Sequence, residues 1–217
     1  MGKFQGLKYI GGVDLSFIKD SQEDAVASLV ILEYPSLNVI YENFLSVKLK
    51  LPYIAGFLAF REVESILELL KTLEKSNSSI YPQVIIVDGN GTLHPRGFGL
   101  ASHLGVLANI PTIGVAKNFL QIDDGENLTM VNVKNMAKEK LSKGGDTYLL
   151  EGNSGTIWGA ALRSLDSTTN PVFVSIGHRI SLETAIHLVL KCCKYRVPEP
   201  TRQADVSPCI NVYTTHC

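Results

Sequence analysis

The chain has 217 residues, 45% of them hydrophobic, with 20 Lys+Arg balanced against 21 Asp+Glu. That length and apolar share support a sizeable core and favour one domain of unusual length over two. The even charge balance excludes a global basic field, so any nucleic-acid contact must come from a local basic patch. No apolar run reaches the ~18 residues of a membrane span, and Met1 to Lys8 lacks the apolar stretch of a signal peptide. A soluble protein is expected, with no membrane partner. Cys192, Cys193, Cys209 and Cys217 crowd the last quarter of the chain without a C-x-x-C spacing. They point to an intracellular, reducing compartment.

Tyr9 to Ser16 reads as a strand carrying Asp14, and its Gly11-Gly12 pair weakens it unless something packs closely there. Ala25 to Tyr34 and Leu37 to Leu49 are β-rich, with Pro35-Ser36 turning between them, so the first three strands run antiparallel. Pro52-Tyr53-Ile54 breaks the pattern. From Phe60 to Lys75, Val63, Ile66, Leu67, Leu70 and Leu73 recur at helical spacing, and Arg61 and Glu62 fall in the first turn. Val84 to Val87 is a short β-branched run that delivers Asp88 to a glycine-rich exit, Gly89 to Gly99. A helix from Gly97 and a strand at Thr112 to Val115 follow, the latter meeting Ala116 and Lys117. This half is β-α-β-α-β, the parallel part of a mixed α/β sheet flanked by helices.

Asp123 to Lys143 is polar and poorly periodic and reads as a surface excursion. Strands resume at Thr147 to Leu150, Thr156 to Leu162 and Val172 to Ile176. Ser181 caps a final helix with Leu182, Ala185, Ile186 and Val189 on one side. Beyond Lys194 an irregular course is expected. A single domain over residues 1–205 and an irregular tail over 206–217 is the resulting organisation.

Asp14, Glu62 and Asp88 stand where a sheet could gather them, and a hairpin followed by a crossover is the topology that sets Asp14 beside Asp88. Unpaired carboxylates at that range repel or take up protons, whereas a hard divalent cation such as Mg²⁺ removes the conflict. Spacing alone leaves a plainer alternative open, in which Asp88 starts a turn and Asp14 ends a solvent-facing alternation. His178, after a strand, could project from the working edge or serve as a capping or hydrogen-bonding group. His103 lies on an apolar helical stripe, which favours the core. Lys117 could meet a phosphate or stand on the surface.

Several blocks together resemble the Endonuclease V family. They are Val13-Asp14, Pro52-Tyr53-Ile54 with Phe60-Arg61-Glu62, Asp88-Gly89-Asn90-Gly91 through His94-Pro95-Arg96, Gly114-Val115-Ala116-Lys117, Gly177-His178-Arg179 and Pro198-Glu199-Pro200-Thr201-Arg202. They occur in the family's order over roughly residues 8 to 205. The resemblance implies an RNase H-like fold and a nuclease that uses Mg²⁺, with Mn²⁺ able to substitute. Its target is inosine, and it cuts the second phosphodiester bond 3′ to that base. Animal-type members act on inosine-containing RNA and bacterial-type members repair deoxyinosine-containing DNA; this sequence reads closer to the former.

Residue by residue, Asp14, Glu62 and Asp88 match the family's metal ligands, His178 its active-site histidine and Lys117 its active-site lysine. Tyr53 matches the wedge that fills the gap left by the extruded base. Gly56, Leu58, Gly89, Gly91, His94, Gly99 and Leu100 match the base pocket. Arg61, Arg96, Arg179 and Lys117 are candidates for a local basic track. Cytoplasm and nucleus or nucleolus are the implied locations, with a monomer favoured. Both ends depart from the family pattern: Met1 stands only a few residues before the first strand, and VSPCINVYTTHC after Asp205 is not the usual continuation. A form with altered termini is therefore expected, with apolar surface around Phe4, Leu7, Tyr9 and Ile10 left in water. The rival function is a catalytically silent binder of inosine-containing nucleic acid; an α/β phosphatase or small-molecule hydrolase is a third.

Overall fold

The structure is a computed structural model, and it describes residues 4–18, 21, 23–49 and 58–205, Leu58 by its backbone alone. In chain order the elements are β1 (Tyr9–Phe17), β2 (Asp24–Glu33), β3 (Val39–Lys48), α1 (Leu58–Asn77), β4 (Val84–Asp88), α2 (Leu100–Ala108), β5 (Thr112–Ala116), α3 (Met130–Lys140), β6 (Thr147–Glu151), β7 (Ile157–Leu162), β8 (Val172–His178) and α4 (Leu182–Lys191). A short helical segment, residues 199–205, follows. The eight strands form one mixed sheet in the order β3-β2-β1-β4-β5-β8-β7-β6. As expected, β1, β2 and β3 pair antiparallel, and β1, β4 and β5 pair parallel.

Alternation along the central strands decides which helix each residue meets. Val13, Leu29, Ile85 and Val87 point to the face covered by α1 and α2. Ile10, Val30, Val84 and Ile86 point to the opposite face, with α4 and Ala204 of the 199–205 helix. On α1, Val63, Ile66, Leu70 and Leu73 form the buried stripe that the spacing predicts. Full burial of side chains such as Ile66 and Leu73 contributes ~1.5–3 kcal/mol each. α1 begins at Leu58, two residues earlier than its apolar periodicity suggests, so Arg61 and Glu62 lie one turn into the helix.

Four expectations are corrected. The helix read from Gly97 begins at Leu100, with Gly99 as its N-cap. The 123–143 stretch is not a surface excursion: it holds α3, capped by Thr129, whose side chain accepts from Asn132 N–H. Val133 and Ala137 of α3 join Leu128, Leu150, Ala161 and Phe173 in a separate core. Two inward residues one turn apart make too narrow a stripe to stand out among Asn132, Lys134, Asn135 and Lys138. The course after Lys194 is likewise not wholly irregular, since 199–205 is helical. Finally, Ile10 is completely buried and Phe4 and Leu7 pack on the core. The Phe4 ring meets Tyr34 edge-on at 6.2 Å, and Gln83 fastens the segment by accepting from Lys8 N–H at 2.6 Å and donating to the Gly6 carbonyl at 2.9 Å. The expected tail, 206–217, lies outside the described residues.

Candidate active site

β1, β4 and β5 are parallel neighbours, so their carboxyl ends share one edge of the sheet, where α/β proteins build sites. Val13 is in register with Val87, and the next residue on each strand is an aspartate, Asp14 and Asp88. Both therefore leave the sheet side by side, on the face opposite the one to which Val13 and Val87 point. The 199–205 helix lies across that face. It comes so close at Gly12 that a Cβ there would overlap the Pro200 carbonyl, which is the close packing that the Gly11-Gly12 pair called for. Ser28 Oγ fastens the same helix by donating to the Ala204 carbonyl at 2.8 Å. The helix thereby delivers Asp205, which sequence reading missed.

Lys117, one residue beyond β5, ties the acids together. Its Nζ donates to Asp205 Oδ2 at 2.6 Å and lies 2.8 Å from Asp88 Oδ2. Asp14 is held on its other side by Ser16 Oγ, which donates to Oδ2 at 2.7 Å. Glu62 is buried on α1, near enough to Asp14 for the two charges to interact.

The electrostatics are those of carboxylates crowded out of water. Burial pushes the Asp14 carboxyl up to about 6; the Ser16 hydrogen bond opposes this, and the charges of Asp88 and Asp205 add to it. Burial and the neighbouring Asp14 raise Glu62 to about 7, against the pull of Arg61. Asp88 is raised by burial, although Lys117 works against the shift. Burial disfavours the Lys117 ammonium, yet the hydrogen bonds to Asp205 and Asp88 outweigh it and hold its pKa above the usual lysine range.

The glycine-rich segment after Asp88 forms a compact shelf over β5 and β8. Gly89 N–H donates to Val115 O at 3.1 Å, Gly91 N–H to Ser175 Oγ at 2.9 Å, and Gly99 N–H to Gly91 O at 2.8 Å. A Cβ on Gly91 would overlap the Ile176 carbonyl, and one on Gly99 the Asn90 carbonyl, so glycine is required at both. Leu100 and His94 are buried in this shelf. His94 Nδ1 accepts from Arg96 N–H at 3.2 Å, and burial, then the Arg96 charge, lower its pKa. Gly89, Gly91, His94, Gly99 and Leu100 are thus gathered in one shelf. His103 is half-buried, its ring 4.8 Å from that of Phe60 and 5.6 Å from that of Phe98.

Other candidates fall elsewhere. His178 is in register with Thr112, at the start of β5, because β8 runs antiparallel to β5. It therefore stands at the opposite end of the sheet from Asp88 and Lys117, which corrects its expected projection from the working edge. Arg179 follows it there and donates to Asn109 Oδ1 at 3.0 Å. Arg61 is buried, with its guanidinium 5.5 Å from the Phe17 ring centre. The expected basic track is therefore not continuous. Tyr53 and Gly56 lie outside the described residues, as does the side chain of Leu58.

Among the described residues, no three His, Cys, Asp or Glu side chains close on one point as a ready-made metal cage. The Lys117 ammonium stands between two of the carboxylates instead. The donor set nevertheless fits a hard divalent cation. It is all oxygen, and Asp14 and Glu62 are acids that burial and mutual repulsion hold back from ionising, a conflict that a bound cation relieves.

These features define an α/β protein with an acidic site at the carboxyl ends of parallel strands. A family model for Endonuclease V matches residues 2–206. The chain is 54% identical over 203 residues to Endonuclease V of Mus musculus, covering 94% of this chain and 59% of that protein. It is 51% identical over 206 residues to that of Homo sapiens, covering 94% and 71%. The catalytic domain of human Endonuclease V superimposes with a TM-score of 0.92 at 47% identity, over 97% of this chain and 85% of that one. Ciona intestinalis Endonuclease V, in complex with a 23mer DNA containing an inosine followed by a ribo-adenosine, gives 0.91 at 37% identity, over 97% and 87%. The chain belongs to the Endonuclease V family and has its RNase H-like fold. It spans 59% of the length of the mouse relative.

Proposed function

We propose that this chain carries out metal-dependent cleavage of single-stranded RNA or DNA at the second phosphodiester bond 3′ to inosine, leaving 3′-hydroxyl and 5′-phosphate ends. The carrying observation is the Val13–Val87 register, which sets Asp14 beside Asp88 within reach of Glu62, Lys117 and Asp205. Asp14, Glu62 and Asp88, joined by Asp205, would hold Mg²⁺ or Mn²⁺. When bound, such a cation lowers the pKa of water and stabilises the leaving oxygen. Lys117 Nζ, beside Asp88 and Asp205, would neutralise a phosphate oxygen. The Gly89–Leu100 shelf offers backbone amides and carbonyls at close approach, which can distinguish hypoxanthine by its O6, its N1–H and its missing 2-amino group. Tyr53 keeps the proposed role of stacking where the base has left, and Gly56 and Leu58 that of completing the pocket. His178 is left without a part in the chemistry, because of its place in the sheet.

The testing experiment incubates the protein and end-labelled single strands, inosine-containing or adenosine-containing, with and without Mg²⁺. Cutting immediately 3′ of the inosine's 3′ neighbour, in RNA or DNA and only with the metal, is the expected result. Binding without cutting identifies a silent binder instead. Hydrolysis of nitrophenyl phosphate without strand cleavage identifies a small-molecule hydrolase.

A further inference from the structure

Beside the acidic site, a groove of about 430 Å³ opens between α3, the exit of β5 and the loop that enters β8. Lys117 forms its mouth, and Lys134, Lys138 and Arg196 line it further on, with Phe119 and Phe173 in its floor. Four basic residues and no acidic one line this surface, in a chain whose net charge is −1. Resting on the function proposed above, we infer that this groove holds the sugar-phosphate backbone of the single strand that leaves the cut site on its 3′ side.

The groove is built rather than incidental. Arg196 anchors one wall by donating to the carbonyls of Lys117, Pro171 and Asn170. Its guanidinium is thus used on the protein, and its charge adds to the field. The floor is rigid, with the Phe119 and Phe173 rings 5.5 Å apart and both buried in the α3 core. Lys134 and Lys138 are exposed. They stand one turn apart on α3, where like charges repel. A polyanion along the groove turns that repulsion into two phosphate contacts. A basic groove over an apolar floor is how proteins hold single strands without reading their sequence. The polarity follows from the lining: the inosine, 5′ of the cut, is assigned to the Gly89–Leu100 shelf, none of whose residues line the groove, so a groove entered past Lys117 takes what lies 3′ of the cut.

The test compares the intact protein with Lys134→Gln/Lys138→Gln and with Lys134→Arg/Lys138→Arg. Binding is read by fluorescence anisotropy in Ca²⁺, on strands carrying either two or ten nucleotides 3′ of a single inosine or of the adenosine that replaces it. Long-flank affinity should fall roughly tenfold in the Gln variant, with a salt slope shallower by about 1.4, as loss of two contacts to a single strand predicts. The two-nucleotide strand should bind all proteins alike, and the Arg variant should behave as the intact protein. Equal losses on short and long flanks, or no loss, overturns the inference. Intact protein that binds long flanks better but does not prefer inosine to adenosine upholds the groove and refutes the proposed function, so the two failures are distinguishable.

Discussion

Lys117 Nζ lies 2.6 Å from Asp205 Oδ2, although 88 residues separate the two in the chain. With Asp88 at 2.8 Å on the same ammonium, a single cation screens carboxylates contributed by β4 and by the 199–205 helix. Lys117→Met removes that screen and leaves the acids to repel. Lys117 and Asp205 are each more than a third exposed, so solvent screening should keep that pair's share of the loss in stability at ~1 kcal/mol or less. A divalent cation should restore it, raising the melting temperature of the variant more than that of the intact protein. Equal metal-induced shifts in a thermal melt refute the screening role.

The acids also set a pH dependence. Folding raises Asp14 from 3.8 to about 6 and Glu62 from 4.5 to about 7. The folded state therefore binds more protons than the unfolded chain between those values, and without metal its stability declines as pH rises from about 4 towards 7. A cation bound to the ionised forms reverses the preference and displaces protons. Denaturant midpoints should fall across this window in chelator and flatten in Mg²⁺. Calorimetry at pH 6 should detect proton release as a heat that changes with the buffer. A flat midpoint in chelator shows that the two carboxyls are not perturbed.

Asp14→Asn and Asp88→Asn keep the shape of the site but remove a charged oxygen donor. Cleavage of an inosine strand should drop by ~10²–10³-fold, in line with losing a principal charge-stabilising group. Affinity for the strand should stay near normal. Near-normal turnover in either variant at saturating Mg²⁺ removes both from the proposed ligand set.

Gly12→Ala places a methyl group against the Pro200 carbonyl. The 199–205 helix must move, and overpacking of this kind costs ~1–3 kcal/mol. Since that helix carries Asp205, the same change should loosen the hold on Lys117 and lower turnover along with stability. Hydrogen exchange in 199–205 reports the displacement directly; unchanged protection with normal activity contradicts it.

His178 and His94 should separate cleanly. His178 sits level with Thr112 at the far end of β5, so His178→Asn should leave turnover within ~3-fold of normal, as is usual for a change away from the reacting groups. His94, buried in the shelf, should on replacement by Ala weaken the preference for inosine over adenosine. A collapse of turnover in His178→Asn places that histidine back in the chemistry.

Much of this protein is legible along the chain because local signals carry it. The β-branched run at Val84–Val87, the 3.6-residue stripe from Val63 to Leu73 and the glycines after Asp88 each declare their element through near-neighbour physics. So does the link from Asp14 to Asp88, because an antiparallel hairpin followed by a parallel crossover leaves few alternatives for the two strands. Tertiary structure decided what those signals do not encode. α3 is held by Val133 and Ala137 against partners on β6, β7 and β8, so its own sequence is too polar to announce it. The direction of β8 sends His178 away from the acids, and strand direction is a property of the sheet rather than of any one strand. Asp205 reaches the site because Gly12, nearly two hundred residues earlier, leaves room for the Pro200 carbonyl; the only local trace of that contact is a glycine pair with no turn to explain it. A one-dimensional reading can rank carboxylates by their strands and turns, whereas which of them share a cation is a matter of packing between elements remote in sequence.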